Sequence, residues 1–211
     1  MSSFNVIAHA ACNDLHLEAT TGQNRLALAT FTLSVNGKIR AYTASVNTIP
    51  GTSTTSPSST NNWITSTTGK VSIVGNTRTL TVSTEWGATN AGVASPNGFD
   101  LEINLNSGQT ATLNTSFKAR TITVVAGTLS VAGGNRLAPD QGAASGSNLT
   151  IQSGATVISD QTGTGGSAVI GRTSGGVGGI FNLNSGGTLR LTGLTPTIAM
   201  TTVNLNGTVE Y

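Results

Sequence analysis

Charge is what this chain has least of. Only 9% of its 211 residues are Asp, Glu, Lys or Arg, against roughly 25% in an average globular chain, so hydroxyl and amide groups must supply its solubility. Ten Lys and Arg oppose eight Asp and Glu, a net charge of +2. The isoelectric point near 9.0 therefore reflects few titrating groups rather than a basic surface. The basic residues are scattered from Arg25 to Arg190 without a run and without interleaved aromatics, which leaves no footprint for nucleic acid. Cys12 is the single cysteine; it excludes an intrachain disulfide, and a small buried hydrophobe is its expected role.

Long apolar runs are also missing. No stretch approaches the roughly 18 consecutive apolar residues of a bilayer span, so no membrane insertion is expected. The opening "MSSFNVIAHAACNDLHLEA" lacks a basic leader followed by an apolar run, the pattern of a signal peptide. The last residues, "VNLNGTVEY", stop inside a strand pattern. Of two readings, a cytoplasmic protein or an internal piece of a longer exported chain, these ends lead us to expect the second.

What is abundant is Thr, Ser, Asn and Gly, the composition of polar-faced strands joined by tight turns rather than of helices. Val, Ile and Leu recur too regularly, and charge is too low, for disorder. The recurrence is a repeat. The stretch "FNLNSGGTLRL" (Phe181 to Leu191) has relatives in "EINLNSGQTATL" (Glu102 to Leu113), "TITVVAGTLSV" (Thr121 to Val131), "LTIQSGATVI" (Leu149 to Ile158) and "VNLNGTVEY" (Val203 to Tyr211). The upstream "FTLSVNGKIRAY" and "VSIVGNTRTLTV" follow the pattern more loosely.

Each copy alternates apolar and polar residues, breaks at Gly, and alternates again, so Phe181 and Leu183 share one strand face and Asn182 and Asn184 the other. The bend glycines Gly108, Gly127, Gly154, Gly186 and Gly207 are 19, 27, 32 and 21 residues apart. Two-stranded hairpins need no such gaps, but a solenoid coil of roughly 20 residues with loop insertions does. The extra length falls in "GGNRLAPDQGAASGS" (Gly133 to Ser147) and "SDQTGTGGSAVIGRTSGGVGG" (Ser159 to Gly179), both rich in turn formers and expected to be excursions from the coil.

The expected fold is all-β: a right-handed parallel β-helix, or β-solenoid, of about seven irregular coils without clear caps, the hand following from the general preference of parallel crossovers. The rival is a β-sandwich, whose turns would come every 8 to 12 residues. We expect residues 1–211 to form a single array, with looser coils over 1–48, a Ser/Thr/Pro-rich loop over 49–63 and regular coils over 64–211.

The series "GKVSIVGNTRTLTVSTEWGA", "FDLEINLNSGQTATLNTSFKARTITVVAGTLSV" and "NLTIQSGATV", ending in "NLNGTVEY", resembles the β-helical stalk segments of very large surface adhesins of Bacteroidetes-type bacteria, commonly exported by type IX secretion. The similarity covers roughly residues 60–211. It implies an extracellular or cell-surface location and a role in extension and attachment, with surface polysaccharide or flanking coils of the same longer chain as partners. The family's export leader and C-terminal sorting domain are absent from this sequence.

Chemistry-bearing residues are few. Asp100 and Glu102 are the one close carboxylate pair and share a strand face, a conceivable catalytic dyad, but a charge deterring edge pairing explains them as well. Asp14, His16 and Glu18 alternate in "NDLHLEA" as weak metal ligands would, although inward Leu15 and Leu17 produce the same alternation. With His9 and His16 the only histidines and no Gly-x-Ser-x-Gly elbow, a serine hydrolase is not expected. The Gly-rich stretch up to Gly179 lacks the Lys-Ser/Thr ending of a phosphate loop. Trp63 and Trp86 would cover a core edge or form a sugar-stacking platform. Thr79 and Thr81, Thr110 and Thr112, and Thr121 and Thr123 form Thr-x-Thr pairs, which in one column would suit ice or crystalline polysaccharide; their unequal offsets from the bend glycines predict that they do not align. We therefore expect no catalytic centre, metal or cofactor, and a structural or adhesive module, with a carbohydrate-binding or carbohydrate-cleaving β-helix and an ice-binding solenoid as alternatives.

Overall fold

A computed structural model describes residues 3–19, 25–37, 39–43, 64–65, 68–80, 100–113, 117–135, 137–139, 148–161, 170–171 and 179–211. Every regular element among them is a β-strand, with no helix. The strands fall into rows. The first holds β1 (Ser3–Asn5), β2 (Ala10–Cys12) and β3 (Leu15–Ala19), the second β4 (Arg25–Ala27), β5 (Thr32–Val35) and β6 (Ile39–Thr43), and the third β7 (Ile64–Thr65), β8 (Lys70–Gly75) and β9 (Arg78–Leu80). The fourth holds β10 (Asp100–Leu105), β11 (Thr110–Leu113) and β12 (Phe117–Ala119), and the fifth β13 (Ile122–Ala126), β14 (Thr128–Val131) and β15 (Leu137–Pro139). β16 (Asn148–Ile151), β17 (Thr156–Ser159) and β18 (Ile170–Gly171) make the sixth, and β19 (Ile180–Leu183), β20 (Thr188–Leu191) and β21 (Ile198–Ala199) the seventh. A last, partial row has β22 (Thr202–Leu205) and β23 (Thr208–Glu210).

Pairing runs between rows, never within one. An eight-stranded sheet takes one strand from each row in chain order, from β2 to β22, and a six-stranded sheet runs from β9 to β23. A four-stranded sheet (β12, β15, β18, β21), a three-stranded one (β1, β4, β7) and the pair β3–β6 complete the set. All the pairings are parallel. Parallel neighbours cannot be joined by a tight turn, so the chain must cross over before each return. That pattern fits a β-solenoid and contradicts a sandwich of antiparallel sheets.

Register explains why these strands stack. In the eight-stranded sheet Ala10, Leu33, Val71, Leu101, Ile122, Leu149, Phe181 and Val203 form one column, and Cys12, Val35, Ile73, Ile103, Val124, Ile151, Leu183 and Leu205 form the next but one. Their interior members, from Leu33 to Phe181 and from Val35 to Leu183, are buried. The six-stranded sheet adds Ala111, Leu129, Val157 and Leu189, also buried. A one-residue slip would turn every one of these side chains outward, which fixes the register.

The corners between the two long sheets are where glycine is required. Gly108, Gly127, Gly154 and Gly186 have φ of 74°, 76°, 79° and 78°, a region that costs other residues backbone strain. Gly207, expected to bend likewise, is not among the positive-φ residues. It is glycine for space, because a Cβ there would stand 2.5 Å from the Gly187 carbonyl oxygen.

Two expectations are corrected. The stretches 133–147 and 159–179 are not wholly excursions: β15 and β18 lie within them and pair in the four-stranded sheet, with Leu137 and Ile170 buried. Each is a lone aliphatic that reaches the core. The 49–63 loop lies outside the described residues.

Candidate functional site

Among the described residues, the densest group of charged side chains lies on the outer face of the eight-stranded sheet, where β8 and β10 are neighbours. In-register pairing sets Asp100 beside Lys70 and Glu102 beside Ser72. Glu102 Oε2 bonds the Lys70 ammonium, and its Oε1 accepts from Ser72 Oγ at 2.7 Å. Asp100 Oδ1 accepts from Arg120 Nε at 2.8 Å, and the same guanidinium reaches the Gly69 carbonyl at 3.5 Å. The two carboxylates are thus each drawn to a different cation. β10 sits between β8 and β13, so the expectation that these charges guard a sheet edge is wrong; they are paired on an interior strand.

Asp14 lies before β3, which starts at Leu15, so it does not share the strand alternation of His16 and Glu18. Those two occupy β3 in register with Arg40 and Tyr42, and their side chains lie outside those described. Among the described residues no group of three His, Cys, Asp or Glu side chains could hold a metal ion. Trp63 and Trp86 also fall outside the described residues. His9 packs edge-on against Phe31 with ring centroids 5.7 Å apart, and its Nδ1 accepts from the Thr32 N–H at 3.1 Å. Cys12 is half-buried beside the core, less covered than expected; burial first, and the Asp14 carboxylate second, raise its thiol above the ordinary value.

The three Thr-x-Thr pairs do not form one column, as their unequal offsets predict. Thr79 stands opposite Thr112, whereas Thr123 belongs to the eight-stranded sheet and Thr81 lies outside the described residues. The alignment that matters was hidden: Thr110, Thr128, Thr156, Thr188 and Thr208 form one column along the six-stranded sheet. The signal available in the sequence is a Thr one or two residues after each bend glycine; the corners absorb the difference in offset. Strand spacing puts successive hydroxyls about 4.8 Å apart. The neighbouring outward column is mixed, running Thr79, Thr112, Ser130, Ile158, Arg190, Glu210.

A second ordered series was not foreseen. Asn36 Nδ2 donates to Asn13 Oδ1 at 3.4 Å, Asn106 Nδ2 to Asn76 Oδ1 at 3.2 Å, Asn184 Nδ2 to Gln152 Oε1 at 2.9 Å and Asn204 Nδ2 to Asn182 Oδ1 at 2.8 Å. In every case the later row donates and the earlier row accepts. The corner beyond the six-stranded sheet is held differently: Asp160 accepts from Gly133 N–H at 2.9 Å and Gly134 N–H at 3.1 Å, and buried Gln161 donates from Nε2 to the Gly134 carbonyl.

Among known proteins, no family model, no curated sequence and no solved structure matches the chain.

Proposed function

We propose that the rows are successive coils of a right-handed parallel β-helix, and that the chain is a non-catalytic structural or adhesive module of an exported bacterial surface protein, acting as an extended spacer or attachment surface. The observation that carries the reading is the pairing of every row with the next in one parallel register, with aliphatic columns inside and hydroxyl and amide columns outside. Such a stack gains length by about 4.8 Å per row and derives its stability from row-to-row contacts. Among the described residues three outward ion pairs, Lys70–Glu102, Arg120–Asp100 and Arg190–Glu210, neutralise the charges that they join. The test is antibody against residues 100–211 applied to intact cells of the source organism. Labelling without permeabilisation supports export; labelling only after permeabilisation overturns it.

The threonine column favours a second reading, binding of a regular solid such as ice or crystalline polysaccharide. Its test is ice-recrystallisation inhibition and pull-down on crystalline cellulose, compared with a Thr156→Lys and Thr188→Lys double variant. Equal results for both proteins would sink it.

A further inference from the structure

We propose that the outer face of the six-stranded sheet binds ice, through a two-column array of hydroxyls that spans the third to sixth rows. This narrows the regular solid of the second reading to frozen water and rests on that reading.

The array is a grid rather than a line. β11 brings Thr110 and Thr112 to one face, β14 Thr128 and Ser130, and β17 Thr156 and Ile158, with first members opposite one another and second members likewise. Thr79 continues the second column from Thr112. Thr77, the residue before β9, continues the first: the Thr110 N–H bonds its Oγ1 at 3.1 Å, and that hydroxyl donates in turn to Gln109 Oε1 at 2.8 Å. Between the columns Ala111, Leu129 and Val157 turn inward and are buried, which holds the outward positions at the strand period. The columns stand about 6.7 Å apart along each strand and the rows about 4.8 Å apart. Both intervals, fixed by strand geometry, lie within about a tenth of the oxygen repeats on a prism face of hexagonal ice.

Charge and rigidity choose this face over its neighbour. The outer face of the eight-stranded sheet carries Lys70, Asp100 and Glu102 on adjacent strands, and each charge holds liquid water around itself. The third to sixth rows of the six-stranded sheet present hydroxyls and one isoleucine instead. Arg78, between Thr77 and Thr79, turns to the carbonyls of Val35 and Gly37. Threonine is stiff at χ1, so its hydroxyl and methyl are already ordered and little side-chain freedom is lost on binding. Beside the first column the corner is bare: Gly108 and Gly154 carry no side chain, and a Cβ there would meet nothing within 4 Å.

The chemistry favours ice over crystalline polysaccharide. Sugar rings dock by laying an apolar face on aromatic side chains, and no aromatic residue stands in either column. A lattice of uncharged donors and acceptors is matched by hydroxyls, which both donate and accept. The grid stops where charge begins. In the seventh and last rows Thr188 and Thr208 continue the first column, but the second becomes Arg190 and Glu210, joined at 2.6 Å.

The experiment measures thermal hysteresis and ice-plane affinity of the fluorescently labelled whole chain, with pull-down on crystalline cellulose alongside. Thr128→Lys, at the centre of the grid, is expected to abolish both ice signals; Ser130→Lys replaces it if circular dichroism shows Thr128→Lys to be unfolded. Thr150→Lys, on the eight-stranded sheet, is expected to leave them unchanged. Arg190→Thr combined with Glu210→Thr lengthens the second column and is expected to raise the hysteresis above that of the wild type. A wild type with neither ice signal overturns the proposal. So does ice binding kept in the folded lysine variant, which places the contact on another face, and so does a folded double threonine variant no more active than the wild type. Cellulose retention that Thr128→Lys loses, without any ice signal, removes ice and leaves the wider regular-solid reading standing; absence of both signals removes that reading as well, while a rod of eight rows in small-angle scattering would still support the stacked coils.

Discussion

Residues 3–80 and 100–211 build their rows from the same kinds of strand, yet among the described residues only the eight-stranded sheet runs from the first row to the last, and the six-stranded sheet starts at β9 in the third row. The eight-stranded sheet continues from β8 to β10. The other strands divide at this level into β1-β4-β7 and β3-β6 on one side and the six- and four-stranded sheets on the other. Arg78 marks the divide. It holds the position in β9 opposite Ala111, whose further partners are Leu129 and Val157, so a cation stands in a column that is otherwise aliphatic. Its guanidinium donates to the carbonyls of Gly37 at 2.5 Å and Val35 at 3.3 Å, and also to those of Asn36 and Val74. Side-chain donation to corner carbonyls takes the place of a β6–β9 ladder. The difference teaches that a column of aliphatics in one sheet is enough to keep rows stacked, whereas continuity of the neighbouring sheets depends on what each corner can satisfy.

Five substitutions sharpen this contrast. Ile151→Ala, at the centre of the longest columns, should cost about 2–5 kcal/mol, while Cys12→Ala at the first row should cost less than about 1 kcal/mol; urea unfolding followed by circular dichroism compares them, and equal losses would mean that the two regions are equally packed. Arg78→Met should cost about 1–3 kcal/mol by leaving carbonyls without their donor. Hydrogen exchange should show lost protection around residues 35–37 and 74–80 with none lost over 148–159, and a uniform loss would deny Arg78 its local role. Cys12 gives the next effect. Its raised thiol value means that the unfolded chain loses this proton first, so stability is full below about pH 8.5 and declines as pH rises further. The pH dependence of the melting temperature should be flatter in Cys12→Ala, and Asp14→Asn should speed alkylation of the folded thiol at pH 8. Smallest is Glu102→Gln, expected to cost about 0–1 kcal/mol because Lys70 is partly exposed, with half or more of the loss removed by high salt.

The same two regions show what the sequence made legible. Strands such as β10, β14, β17, β19 and β20 were readable because four or more residues alternate around a glycine corner, and burial follows the alternation. β15, β18 and β21 were not, because a strand of two or three residues places a single aliphatic inside: Leu137, Ile170 and Ile198 stand opposite one another with no period to detect. Thr110 follows its glycine by two residues and Thr128 by one, yet the corner brings them opposite each other, which spacing alone does not reveal. Arg78 was illegible for a different reason. Nothing local distinguishes a strand arginine facing solvent from one turned toward carbonyls some forty residues earlier in the chain.

The intervals between rows have a consequence for how such a chain changes length. Leu149 meets Phe181 and Val124 meets Ile151, so removal of residues 148–179 would bring β19 against β13 with Phe181 below Ile122 and Leu183 below Val124. Every column would survive, one member shorter. Gene duplication and loss can therefore act on whole turns of this molecule as exchangeable modules, whereas the deletion of one residue from a strand would put an entire side of that turn out of phase.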